Sequence, residues 1–121
     1  MKPVINVKRV YEEPSKKDGL RVLVDRLWPR GLTKEAAGVD EWAKDIAPST
    51  ELRKWFGHTM ELWDDFKKQY KAELKKNPAV EPFLQEHQHQ HVITLLYGSR
   101  DEEHNHALVL QTYLEDLYKK M

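Results

Sequence analysis

Apolar positions along this chain switch between a two-residue and a three-to-four-residue period, and the switches mark its elements. Ile5 to Val10 is short, partly alternating and rich in β-branched residues, which predicts a strand. Glu12 to Gly19 is polar and holds Pro14, Asp18 and Gly19, so it reads as a loop. Leu20 to Asp25 places apolar residues on both faces, as a strand in the middle of a covered sheet does. Thr33 caps a short helix that runs through Gly38, while Val39 to Ala47 follows neither period. Ser49, followed by Thr50, Glu51 and Leu52, begins another helix, and Gly57 ends it.

Two longer helices are plainer. Leu62, Phe66, Tyr70 and Leu74 recur at every fourth position between Glu61 and Lys76, and Asn77-Pro78 stops the run because proline cannot continue the hydrogen-bond ladder. Val80, Phe83, Leu84 and His87 form a weaker helical stripe. His91 to Tyr97 is apolar enough for a central strand. From about Glu102 to Lys119, Ala107, Leu108, Leu110, Leu114, Leu117 and Tyr118 share one broad helical face. Strands alternating with helices predict an α/β fold: a small, mostly parallel sheet of three or four strands flanked by helices, in a single domain spanning residues 1–121. The connection between the first two strands is about nine residues, short for a parallel crossover, so an antiparallel first pair stays open.

Composition narrows the function classes. The chain has 121 residues, with 20 basic against 20 acidic side chains and a formal net charge of zero, which disfavours coating of nucleic acid or anionic membrane through overall charge. A local basic patch is still available from Lys16, Lys17, Arg21, Arg26 and Arg30. The lack of cysteine excludes disulfides, thiolate metal sites and a cysteine nucleophile. Met1-Lys2-Pro3-Val4 lacks the apolar core of a signal peptide, and no apolar run approaches the roughly 20 residues of a membrane helix. A cytoplasmic protein without membrane partners is expected; its oligomeric state is left open.

Candidate chemistry concentrates where strands end. Asp25, Arg26, Trp28 and Arg30 follow the second strand on a loop punctuated by Pro29 and Gly31. Ligands of open α/β sheets gather beyond the carboxyl ends of strands, and a guanidinium presents a planar fork of donors to phosphate or carboxylate. Ser99, Arg100, Asp101, His104 and Asn105 follow the third apolar strand in the same manner.

The run Arg21 to Gly31 resembles the hallmark of the "domain of unknown function 488" family in its YeaO-like branch. Ala47 to His58 is similar to the second hallmark of that branch and Leu95 to Ala107 to the third, with Gly98-Ser99 standing where paired small residues such as Ala-Ala are commoner. The resemblance covers nearly the whole chain. It implies an α/β fold in a bacterial or archaeal cytosol, and no particular reaction.

If the second and third strands are parallel, both loops open on one edge. Asp25, Arg26, Trp28, Arg30, Ser99, Arg100 and Asp101 are then the candidate ligand-binding set, with Asp101 as N-cap of the last helix. The competing reading pairs Arg26 and Arg100 with Asp25 and Asp101 in a structural network. His104, one turn into that helix, is the candidate for proton transfer, and a capping role competes with it. No base is evident to activate Ser99. His87, His89 and His91 invite a metal, but no matching ligand set is visible, so neither metal nor cofactor is expected. The tryptophans read as packing, Trp28 excepted, since its arginine neighbours suit a stacked base or sugar. The preferred ligand is a small molecule bearing phosphate or carboxylate, with or without catalysis. A nucleic-acid-binding accessory protein and a non-catalytic interaction module are the alternatives.

Overall fold

The computed structural model describes residues 2–121. Four strands, β1 (Val4–Arg9), β2 (Leu20–Leu23), β3 (Glu41–Trp42) and β4 (Val92–Tyr97), form one sheet in the order β1-β4-β2-β3. Every neighbouring pair is parallel. The helices are α1 (Lys34–Ala37), α2 (Thr50–Phe56), α3 (Trp63–Lys76), α4 (Val80–His87) and α5 (His106–Lys119).

The alternation of β-strand side chains divides the core in two. Val22 and Val24, with Ile93, Leu95 and Tyr97, join one large cluster with Leu52, Phe56, Phe66, Tyr70, Leu74, Phe83, Leu84, Leu110 and Leu114 from α2 to α5. Leu23 and Leu96 point to the other face, where Val10, Ala37 and Val39 cover them and Trp28 and Leu32 pack alongside. A central parallel strand is buried on both faces, which explains why residues 93–97 are buried without alternation and apolar except for Thr94. Truncating such a residue, Leu95→Ala for instance, costs about 2–5 kcal/mol.

The antiparallel option for the first two strands is overturned. β1 and β2 are not neighbours: both pair with β4, parallel, with Ile5 opposite Ile93 and Val22 opposite Leu95. Apart from a single 3-10 turn at Lys16–Asp18, residues 10–19 make this return without a helix. An extended segment of that length spans roughly 33 Å, enough to run back along a short strand. The segment is fastened by a buried polar knot. Asp18 accepts hydrogen bonds from Lys8 Nζ (3.0 Å), from the Ser15 N–H (2.9 Å) and from Arg21 NH1, while Thr94 Oγ1 donates to Asp18 O (2.6 Å). Arg21 also donates from Nε to Gly38 O (2.9 Å) and from NH2 to Ala37 O (2.8 Å), so its whole guanidinium is spent inside the fold. It is therefore no part of a basic surface patch.

Local signals set most boundaries. Thr33 Oγ1 accepts from the Ala36 N–H and Ser49 Oγ from the Leu52 N–H, and both helices end on left-handed glycines, Gly38 and Gly57. The last helix departs from expectation. It starts at His106, with Asn105 as N-cap accepting from the Leu108 N–H, so Asp101 is not its cap and His104 precedes it. No helix among the described residues is long and apolar enough to cross a membrane.

Candidate functional site

Because β2 and β4 are adjacent and parallel, the segments that follow them emerge on one edge of the sheet. They are joined there: the Gly98 N–H donates to Asp25 Oδ2 at 2.9 Å. Arg9, at the end of β1, donates from Nε to Ser99 O (2.8 Å) and from NH2 to Gly98 O (3.3 Å), fixing the β4 segment from its other side.

Beside this junction opens a cavity of about 140 Å³. Asp25, Arg26, Arg53, His58, Ser99, Asn105 and His106 supply its polar lining, and Leu27, Pro48, Phe56 and Phe66 its apolar wall. Phe56 and Phe66 stack with ring centroids 4.5 Å apart, giving that wall a rigid aromatic floor. Two guanidiniums against one carboxylate leave the lining with one net positive charge when its histidines are neutral.

Each polar group is held differently. Arg26 donates from Nε to Pro48 O (2.9 Å) and from NH2 to Ala47 O (3.1 Å), so it ties the loop before α2 to the end of β2. Both partners are neutral carbonyls, and its charge is not cancelled by a carboxylate ion pair among the described residues. The Arg26–Asp25 pairing weighed from sequence is absent there as well. Arg53 projects from α2, exposed and without a side-chain partner among the described residues. His58 sits just past the helix at φ 58° with its ring tilted against Phe56.

His106 Nε2 lies 3.0 Å from Val24 O and 2.9 Å from Asp25 Oδ1. The ring N–H is aligned with the carbonyl, so Oδ1 of Asp25 is buried yet lacks a well-directed hydrogen bond. Asn105, itself buried, uses Oδ1 for the α5 cap and Nδ2 for Asp101 O (3.0 Å). The amino end of the 14-residue helix α5 thus borders the cavity, with its partial positive charge toward it.

The other residues singled out from sequence are placed differently. Trp28 donates its indole N–H to Leu32 O (2.7 Å), meets Trp42 edge-on at 5.4 Å and packs against the smaller core, away from the cavity lining. Arg30 and Arg100 are exposed, outside the lining and without side-chain partners among the described residues. Tyr11 donates its hydroxyl to the Arg30 carbonyl (2.8 Å), which holds the loop's backbone rather than its guanidinium.

Asp101 organises its own turn, accepting at Oδ1 from the N–H groups of Glu103 (2.9 Å) and His104 (3.0 Å). The Glu103 amide, together with the His104 ring and amide, outweighs desolvation and holds the carboxyl below its ordinary range. His104 Nδ1 is 3.2 Å from Asp101 Oδ2, and its ring stands edge-on to Trp63, outside the cavity lining. Ser99 Oγ accepts from the Asp101 N–H (3.1 Å).

Arg53, Phe56, Phe66 and His106 were not named as site residues from sequence. A usable signal existed for all but Phe66: the lining residues other than Phe66 fall within the three motif segments, 21–31, 47–58 and 95–107.

A family model described as the inactive DUF488-N3 subclade matches residues 4–121. The chain belongs to this family. Uncharacterized protein YeaO of Escherichia coli K12 is 44% identical over 113 residues, which cover 93% of this chain and 98% of that protein. Uncharacterized protein Rv3073c of Mycobacterium tuberculosis H37Rv is 41% identical over 110 residues, covering 91% and 92%. Uncharacterized protein Mb3100c of Mycobacterium bovis matches to the same extent. No solved structure matches the chain. Among DUF488-N3 features, the three motifs thus acquire a common location: they converge on one cleft at the carboxyl edge of the sheet.

Proposed function

We propose that this protein is a cytosolic small-molecule-binding domain whose cleft takes a ligand with a phosphate or carboxylate head and an apolar or aromatic body. The observation that carries this reading is the pair Arg26 and Arg53 in one aromatic-walled cavity, with no carboxylate ion pair on either guanidinium among the described residues. Two unneutralised guanidiniums and the amino end of α5 favour an anion. Phe56 and Phe66 favour a flat apolar group beside it. Arg30 and Arg100 would act as outlying charges that draw anions toward that edge.

Binding without turnover is the preferred form. Ser99 Oγ is engaged by a backbone amide, His104 is engaged by Asp101, and the family is described as an inactive subclade. Titration calorimetry with inorganic phosphate, phenyl phosphate and benzoate tests the reading. Phenyl phosphate should bind more tightly than phosphate, and Arg53→Ala should weaken it about 10- to 100-fold. Absence of saturable binding by all three ligands, or equal binding by the variant, would overturn it. Steep salt-dependent binding of oligonucleotides would support the nucleic-acid alternative instead.

A further inference from the structure

We propose that Glu41, Glu86 and His87 form a binding site for a divalent transition-metal ion, Zn²⁺ in the first instance, at the β3 edge of the sheet and independent of the cleft described above. Chain topology makes the site: β3 pairs parallel with β2, placing Glu41 opposite Val22, and the end of α4 delivers Glu86 and His87 to it. One ligating atom from each of the three residues lies within 4.8 Å of the other two. Around an ion with bonds of about 2.0–2.2 Å, donor atoms stand roughly 3.3 Å apart. His87 Nε2 and Glu41 Oε1 are 2.8 Å apart, so seating an ion requires this pair to part by about half an ångström and the exposed Glu86 side chain to rotate inward.

Three features distinguish the cluster from ordinary surface acidity. His87 is 5% exposed, and its ring is braced edge-on by Phe83 at 4.7 Å, so the imidazole donor is preoriented. Two carboxylates converge without a lysine or arginine ion pair to either among the described residues, where a dication would neutralise them. Both glutamates also line a groove of about 330 Å³, which leaves room for water in the remaining coordination positions. One imidazole with two carboxylates suits a borderline first-row ion better than Mg²⁺, which prefers an all-oxygen shell. A purely structural His87–Glu41 hydrogen bond would explain the first feature, but it gives Glu86 no role.

Glu86 therefore decides the test. Calorimetric titration and thermal melts with Zn²⁺, and with Mg²⁺ for comparison, should be run on the intact chain, on E86Q and on a His89→Gln/His91→Gln double variant. The expected result is one Zn²⁺ per chain, a raised melting temperature with Zn²⁺ and little response to Mg²⁺. E86Q should melt like the parent in chelator yet bind Zn²⁺ more than about tenfold more weakly. The double variant should bind as the parent does. The proposal fails if Zn²⁺ leaves the melt unchanged, if Mg²⁺ acts equally, if E86Q binds normally, or if the double variant abolishes binding.

Discussion

The Gly98 N–H and the Asp25 carboxylate are joined at 2.9 Å, and this bond, with the His106 Nε2–Val24 O contact, locks the two segments that frame the cleft. A Cβ on residue 98 would stand 3.0 Å from Asp25 Oδ2, so glycine leaves the room that this bond needs. Asp25→Ala should leave a part-buried amide without an acceptor and destabilise the protein by about 1–3 kcal/mol. Urea unfolding gives the comparison. An unchanged midpoint would mean that water replaces the carboxylate at no cost.

Arg26 and Arg53 should separate stability from binding. Arg26→Ala strips donors from the carbonyls of Ala47 and Pro48 and should cost about 1–3 kcal/mol. Arg53→Ala removes an exposed side chain without an ion pair among the described residues and should change stability by no more than about 0.5 kcal/mol. It should nevertheless weaken phenyl phosphate binding. Arg30→Ala should likewise be within about 0.5 kcal/mol in stability, with a smaller loss of binding than Arg53→Ala. Equal stability losses for Arg26→Ala and Arg53→Ala would contradict the division.

Asp18 predicts a specific acid response. Burial pushes its carboxyl up, but the Ser15 amide, Lys8 and Arg21 outweigh that push and hold it below the ordinary range. A carboxyl whose folded pKa is depressed contributes stability above its unfolded value near 4 and loses it as pH falls through the folded value. Asp18→Asn should therefore flatten the acid limb of the stability–pH curve. Leaving Arg21 buried without its anion should also cost about 3–5 kcal/mol near neutrality. Parallel acid limbs for parent and variant would remove Asp18 from the explanation.

At the alkaline end, burial raises the Tyr118 hydroxyl to about 12. Its phenol donates to Leu84 O at 3.1 Å. Tyr70, fully buried and donating to Ile46 O at 2.6 Å, is also pushed well above its ordinary value, chiefly by desolvation. A raised folded value means that the contribution is intact below the unfolded pKa near 10 and is lost as pH rises through the folded one. Spectrophotometric titration should show the parent's late-ionising phenolate absorbance reduced in Tyr118→Phe. Unaltered titration at pH 11–12 would show that Tyr118 is not among the late groups.

Local chemistry was legible wherever a side chain acts on its own neighbourhood. Ser49 and Gly57 bound α2 as their capping preferences require, and the apolar run ending at Tyr97 is the central β4. Where two residues could perform one local task, sequence could not choose between them: Asp101 and Asn105 are both good caps, and only the packed turn assigns Asp101 to Glu103 and His104 and leaves α5 to Asn105. Long-range partners were beyond reach. Nothing near Arg26 in sequence marks the carbonyls of Ala47 and Pro48 as its acceptors. Likewise, Glu41 and His87 stand 46 positions apart in sequence yet make a contact of 2.8 Å. The strand order was obscure for the same reason, since a sheet in which β4 separates β1 from β2 turns on pairings that no local pattern records.

That insertion of β4 governs when the molecule can first become itself. As the chain leaves the ribosome, β1 and β2 emerge early, yet their common partner is residues 92–97, close to ninety positions after β1. Until that segment arrives, both early strands expose unpaired backbone edges, and α2, α3 and α4 have no complete sheet to settle on. The central strand thus works as a late keystone: its arrival joins the two halves of the sheet and brings Gly98 to Asp25, and α5, next in the chain, then closes the larger core.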